Sequence, residues 1–167
     1  MRYLFITVLL LCLPQTGIAQ VLNERESLRG LDGLGVFYRI EPNKLKELGL
    51  EASLIATDLT LRLRKAGIRV LETEHEKKQT KGTPHLLAGV SVWEIDGDRV
   101  GFVVRISVLQ WVYLARAKDD ALYLTTYNRP MLYGDAARME IREAVRSALA
   151  DAVDKFINDY LAANPKR

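Results

Sequence analysis

Side chains that move protons, hold metals or attack carbonyls are scarce in this chain of 167 residues. It has two histidines, His75 and His85, both in or beside the charged stretch from Glu72 to Thr83. The string His75-Glu76-Lys77-Lys78-Gln79 starts like a zinc-protease helix but has glutamine where the second imidazole must bind metal. Zinc needs three or four ligands steadied by an outer layer of hydrogen bonds, which a polar, mobile loop does not supply. Asp96, Asp98, Asp119 and Asp120 fit turns better than a twelve-residue calcium loop. A hydrolase triad lacks a histidine on a rigid element beside a serine, and Gly-x-Ser-x-Gly is missing. Glycines 30, 33 and 35 precede a strand, whereas a phosphate loop follows one and opens a helix. Glu94 and Asp96, two apart beside a turn, read as exposed edge residues. This inventory predicts no enzyme, no metal and no cofactor.

What the chain has instead is an aromatic strand face. Trp93, Leu109, Trp111 and Tyr113 alternate onto one side of their strands together with Arg105 and Ser107. Tyr123 and Tyr127 join them if the next strand pairs in the simplest register. A solvent-side strand face normally carries Thr, Lys and Glu, and aromatic rings that keep one polar edge are enriched at contact surfaces. These seven residues, Trp93, Arg105, Leu109, Trp111, Tyr113, Tyr123 and Tyr127, are the predicted partner-binding set. The competing reading is internal cover, in which residues 20–32 or the loop Pro130-Met131-Leu132-Tyr133 fold over the face.

Alternation and helical spacing give the elements that must position this face. Leu34 to Glu41 alternates as a strand, with Leu34, Val36, Tyr38 and Ile40 on one side and Gly35, Phe37 and Arg39 on the other. Leu48, Ala52, Ile55, Leu59, Leu63 and Ala66 fall three or four apart on one helical stripe, which Gly67 closes. Ile68 to Leu71 reads as a second strand, and Glu72 to Thr83 as a mobile loop. A third strand runs from Leu86 to a tight turn at Asp96-Gly97, and a long fourth one from Arg99 to Leu114, with a bend or bulge at Gln110. After an Asp119-Asp120 turn, Leu122 to Tyr127 makes a fifth strand. Asp135 is the expected N-cap of a last helix whose apolar side includes Ile141, Val145, Leu149, Val153, Phe156 and Tyr160. A right-handed first crossover puts both helices on one side. The predicted fold is an α+β two-layer sandwich, a mostly antiparallel four- to five-stranded sheet with two helices on one face.

Met1-Arg2, the uncharged run Tyr3–Leu13 and the small residues before Ala19 have the anatomy of a secretory signal peptide. As a helix the run rises about 16 Å, short of a hydrocarbon core near 30 Å. Residues 1–19 are the predicted signal and 20–167 a single domain. The rival is lipidation at Cys12, which sits inside the apolar run after three leucines. With cleavage no thiol remains, so disulfides and thiolate chemistry are excluded. The net charge of +3 falls by one when Arg2 goes, too balanced to argue for nucleic acid.

The tail Asp154-Lys155-Phe156-Ile157-Asn158-Asp159-Tyr160 with Asn164-Pro165, and the segment Leu63-Arg64-Lys65-Ala66-Gly67-Ile68-Arg69-Val70, resemble a group of small exported bacterial proteins of unassigned role. The element order behind a signal peptide resembles small α/β domains of envelope accessory proteins, the lipopolysaccharide-assembly lipoprotein and the amino-terminal domain of the Tol-system periplasmic protein. That resemblance implies a periplasmic or secreted place in the cell envelope. The former family carries a lipidated cysteine directly after its signal, which this chain lacks, so membrane anchorage and barrel plugging are not carried over. The expected function is a non-catalytic binding or assembly module engaging an envelope protein or itself. The alternative is a small hydrophobic-ligand carrier with a cleft between the last helix and the bent long strand.

Overall fold

The computed structural model describes residues 24–40 and 47–165. The signal segment, its cleavage point and Cys12 lie outside the described residues. Within them the order is β1 (Leu34–Ile40), α1 (Ala52–Lys65), β2 (Val70–Leu71), α2 (Glu74–Gln79), β3 (His85–Asp96), β4 (Arg99–Leu114), β5 (Ala117–Asn128), β6 (Leu132–Ala137) and α3 (Ile141–Ala163). The α+β sandwich is as the sequence predicts, but the sheet has six strands and is mixed. β1 runs parallel to both β2 and β3, while β3–β4, β4–β5 and β4–β6 are antiparallel. Strand order is β2-β1-β3-β4-β5, with β6 also on β4.

Period-2 alternation on β3 and β4 divides the molecule. Leu86, Ala88, Val90, Val92 and Val100, Phe102, Val104, Ile106, Val108 are buried under the helices. α1 meets them with Ile55, Leu59 and Leu63, and α3 with Val145, Leu149, Val153 and Phe156. α1 stops as its sequence dictates. Gly67 takes φ +79°, Ile68 N–H donates to the Leu63 carbonyl and Gly67 N–H to that of Arg64. This satisfies carbonyls the last turn would leave bare, and Ile68 packs where Leu63 does.

Several local expectations are corrected. The stretch after Glu72 is not wholly loop: Thr73 and Glu76 form a reciprocal capping box that starts α2. The β4–β5 turn falls at Ala115-Arg116, and Asp119 and Asp120 lie within β5. The β3–β4 turn is Gly97-Asp98, one residue later than expected. Residues 132–137 form β6 instead of opening the last helix, so Asp135 pairs with Arg99 and α3 starts after Glu140.

Tyr127 is the correction that matters most. Trp111 opposes Tyr123 and Leu109 opposes Thr125, yet Val108 opposes Tyr127. One extra residue, Thr126, has been taken up on β5. The irregularity expected at Gln110 is therefore one residue earlier on β4, and the surplus residue sits on the partner strand. A shift of one residue reverses every side chain beyond it, so Tyr127 does not join the open face. It is 2% exposed, stacks edge-on against Phe156 at 5.5 Å and donates its hydroxyl to Asp159 at 2.8 Å. Burial, then the Asp159 carboxylate, pushes the Tyr127 phenol far above its ordinary pKa.

Residues 24–32 dock on this same helix side. Leu28 is fully buried, Arg25 pairs with Asp159 at 3.2 Å, Gln110 Nε2 donates to the Ser27 carbonyl at 3.1 Å, and Tyr160 donates to that of Leu31 at 2.6 Å. Over the described part of that segment, internal cover of the aromatic face is thereby excluded. Residues 132–133, from the other candidate cover, join the sheet itself.

Tyr127→Phe should leave Arg129 Nε and one Asp159 oxygen short of a partner. The expected cost is about 1–2 kcal/mol in a urea melt. Tyr123→Phe on the opposite side should cost less than half of that. Equal costs would contradict the assignment of the two tyrosines to different sides.

Candidate functional site

The face away from the helices is built from the odd-numbered positions of β1, β3, β4, β6 and the first part of β5. The structure brings Trp93, Arg105, Leu109, Trp111, Tyr113 and Tyr123 of the predicted set onto it. It adds Phe37 and Arg39 from β1, His85 from β3 and Tyr133 from β6. Phe37 and Arg39 were visible in the β1 alternation, on the side opposite Leu34 and Val36. Tyr133 carried no such signal, because its strand does not read as one. His85 was masked by the charged run beside it.

Four rings form a continuous row. Phe37 and His85 centroids are 4.5 Å apart, His85 and Tyr123 5.9 Å, and Tyr123 and Trp111 5.3 Å. Lys77 from α2 places its ammonium 5.1 Å from the Phe37 ring centre, a cation–π distance. His85 Nδ1 is hydrogen-bonded to the Tyr123 hydroxyl, which also reaches the Thr83 carbonyl at 3.4 Å. Trp111 N–H donates to the Gly82 carbonyl at 2.8 Å, fixing the 80–84 loop as a wall. Glycine makes room for two of the aromatic side chains: a Cβ at Gly35 would collide with the His85 ring, and one at Gly101 with the Trp93 indole.

These residues enclose a shallow depression of about 360 Å³ lined by Phe37, Arg39, Thr83, His85, Leu87, Leu109, Trp111 and Tyr123. Its walls are mostly apolar, with Arg39 and Thr83 at its edge. His85 and Tyr123, hydrogen-bonded to each other, line it beside the Phe37, Leu87, Leu109 and Trp111 side chains. Among the described residues no three His, Cys, Asp or Glu side chains come together to hold a metal. None of the described helices is long and apolar enough to cross a membrane. Where the carrier reading expected a cleft between last helix and long strand, Val108, Tyr127 and Phe156 fill the space. The gap of about 430 Å³ between α1 and α3 is polar, bridged by Arg62–Asp154 at 3.0 Å and Arg146–Asp58 at 2.9 Å.

Burial, and then the Lys77 charge, holds the His85 imidazole below its ordinary pKa, with Glu74 opposing. The unfolded chain then binds the extra proton first, as pH falls through about 6.5. Stability from this group is complete above that value, declines below it, and stops declining beneath the folded pKa. His85→Phe should remove that part of the slope between about pH 7.5 and 5 in paired urea melts. Identical slopes in both proteins would show that the ring does not titrate as a buried neutral group.

No family model matches the chain, and no curated protein matches it. Among solved structures, a hypothetical protein from Chlamydia trachomatis is similar at 11% identity, over 78% of this chain and 99% of that one, with a TM-score of 0.47. The rare lipoprotein B from Shewanella oneidensis is similar at 12% identity, over 77% of this chain and 94% of that one, with a TM-score of 0.36. Neither likeness is close enough to bring a function to this chain.

Proposed function

We propose that the protein is a non-catalytic binding or assembly module of the bacterial cell envelope, which engages another protein through its open aromatic sheet face. One observation carries this reading. Phe37, Trp93, Trp111, Tyr113 and Tyr133 stand on a single face with exposures of 45, 42, 46, 67 and 70%. Scattered exposed apolar residues need no explanation, but large aromatic ones gathered on one side of a sheet mark a contact surface. Tyrosine and tryptophan suit that work because they bring much area with few rotatable bonds. The export half of the proposal rests on the signal-like residues 1–19.

A second reading is favoured by the depression. Its volume is at the small end of the range for ligand pockets, so a small apolar molecule held by Phe37, Leu109 and Trp111 would make the protein a carrier. Native mass spectrometry of protein from its own source separates the two. A retained small molecule supports the carrier, and a retained polypeptide supports the module.

The double variant Trp111→Thr/Tyr113→Thr should weaken association with any envelope protein that chemical cross-linking captures on the parent at least tenfold, since central aromatic anchors each contribute about 2 kcal/mol or more. Its urea midpoint should stay near that of the parent. Loss of cooperative unfolding would show that these rings belong to the core and would remove the proposed surface.

A further inference from the structure

We infer that the open face takes an extended acidic segment of a partner protein, in which an apolar side chain and a carboxylate stand two residues apart. This rests on the contact-surface reading and specifies its partner. Three adjacent strands place Arg39, Gly89 and Arg105 in one cross-strand row, Arg39 opposite Gly89 and Gly89 opposite Arg105. All three point to the open face. Strand spacing of about 4.8 Å puts the two arginines about 10 Å apart over a floor without a side chain. A carboxylate descending between them can meet both guanidinium groups, whose flat donor forks match it bidentately.

Their charge is unanswered within the described molecule. Apart from Arg116, every other described arginine holds a carboxylate. Arg39 has none, and Arg105 Nη2 donates only to the Met131 sulfur at 3.1 Å. Two of the carboxylates near this face are already engaged, Asp135 by Arg99 at the far end of β4 and Glu74 by Lys77.

The spacing of the segment comes from β3. Leu87 lines the apolar depression, and Gly89 is the next residue on the same side. Two residues along a strand span about 6.8 Å, and an extended partner lying along β3 repeats the same interval. An apolar side chain over Leu87 then brings the carboxylate two positions away over Gly89. A second copy of this chain fits poorly, because face-to-face packing would oppose two arginine pairs of like charge. Two free arginines are also too few to hold the protein on an anionic membrane without a second anchor.

A random peptide library displayed on phage and selected on the full-length protein tests the inference. Enrichment of an apolar residue and an Asp or Glu two positions apart, in one consistent order, is expected, the order reporting which way the segment runs along β3. For the best peptide, followed by tryptophan fluorescence, Glu→Gln should weaken binding at least tenfold. Arg39→Met/Arg105→Met in the protein should do the same and erase the difference between the two peptides. Enrichment indifferent to acid, or a Glu→Gln peptide that binds equally, overturns the inference. So does retention on vesicles containing 30% phosphatidylglycerol without peptide binding, or a dimer in sedimentation that the arginine variants do not alter. If Trp111→Thr abolishes peptide binding and the arginine variants leave it unchanged, the aromatic surface stands and its acidic partner falls.

Discussion

One-sided cover of the sheet is the constraint on which the rest of this molecule depends. β4 has sixteen residues, and their alternation sends Val100, Phe102, Val104, Ile106 and Val108 into the helix layer and Arg105, Leu109, Trp111 and Tyr113 away from it. α1 and α3 bury the first set around Phe156 and Leu63. No described helix packs on the second, where Met131 of the 130–133 segment reaches Arg105. Each strand beside β4 inherits the same division, because a cross-strand partner shares its neighbour's side. The face therefore exists by register and not by any local feature of its aromatic residues.

That register is held where the two sides of the fold are tied together. Beyond Thr126, β5 places Tyr127 against Phe156 and its hydroxyl on Asp159, which is 5% exposed and paired with both Arg25 and Arg129. The two guanidinium groups offset the cost of taking this carboxylate out of water. Its four-way contact joins the 24–32 segment, β5, the chain after β5 and the end of α3. Slipping β5 by one residue would pull Tyr127 out of this cluster and turn Tyr123 away from Trp111. The buried ionic cluster on one side thus fixes the aromatic row on the other.

Much of this was legible in the sequence. Strands with strong alternation of Val, Ile and aromatic residues, and helices with a clean apolar stripe, appear where their periods put them, except that Leu48 lies in a turn before α1 and β5 begins at Ala117, ahead of the expected Leu122. β6 was not legible because Leu132-Tyr133-Gly134-Asp135-Ala136-Ala137 contains few strand formers. It forms because the edge of β4 from Arg99 to Val104 needs hydrogen-bond partners. Gly134 is tolerated there because a Cβ would come 2.6 Å from the Phe102 ring. α2 has no buried residue to give it a stripe, and only its capping pair Thr73 and Glu76 announces it. The parallel pairing of β1 with β3 joins distant segments, which no local pattern encodes. Six of the seven residues predicted for the face lie on it, placed there by alternation alone. The seventh, Tyr127, was misplaced because no turn residue marks a one-residue bulge.

The same packing explains how an aromatic face is kept ordered. A bare ring on a flat strand can swing through several rotamers, and binding must then restrict it at an entropic cost. Here the His85 ring occupies the place of a side chain at Gly35, and the Trp93 indole that of one at Gly101. The Tyr123 ring lies between His85 and Trp111, and the 80–84 loop is bonded to the Trp111 backbone. The side chains are thus held before any partner arrives. Tyr113 and Tyr133, the most exposed rings of the face, lack a described ring neighbour. The ordered row beneath Phe37, His85, Tyr123 and Trp111 is accordingly the part of the surface where contact costs least conformational entropy.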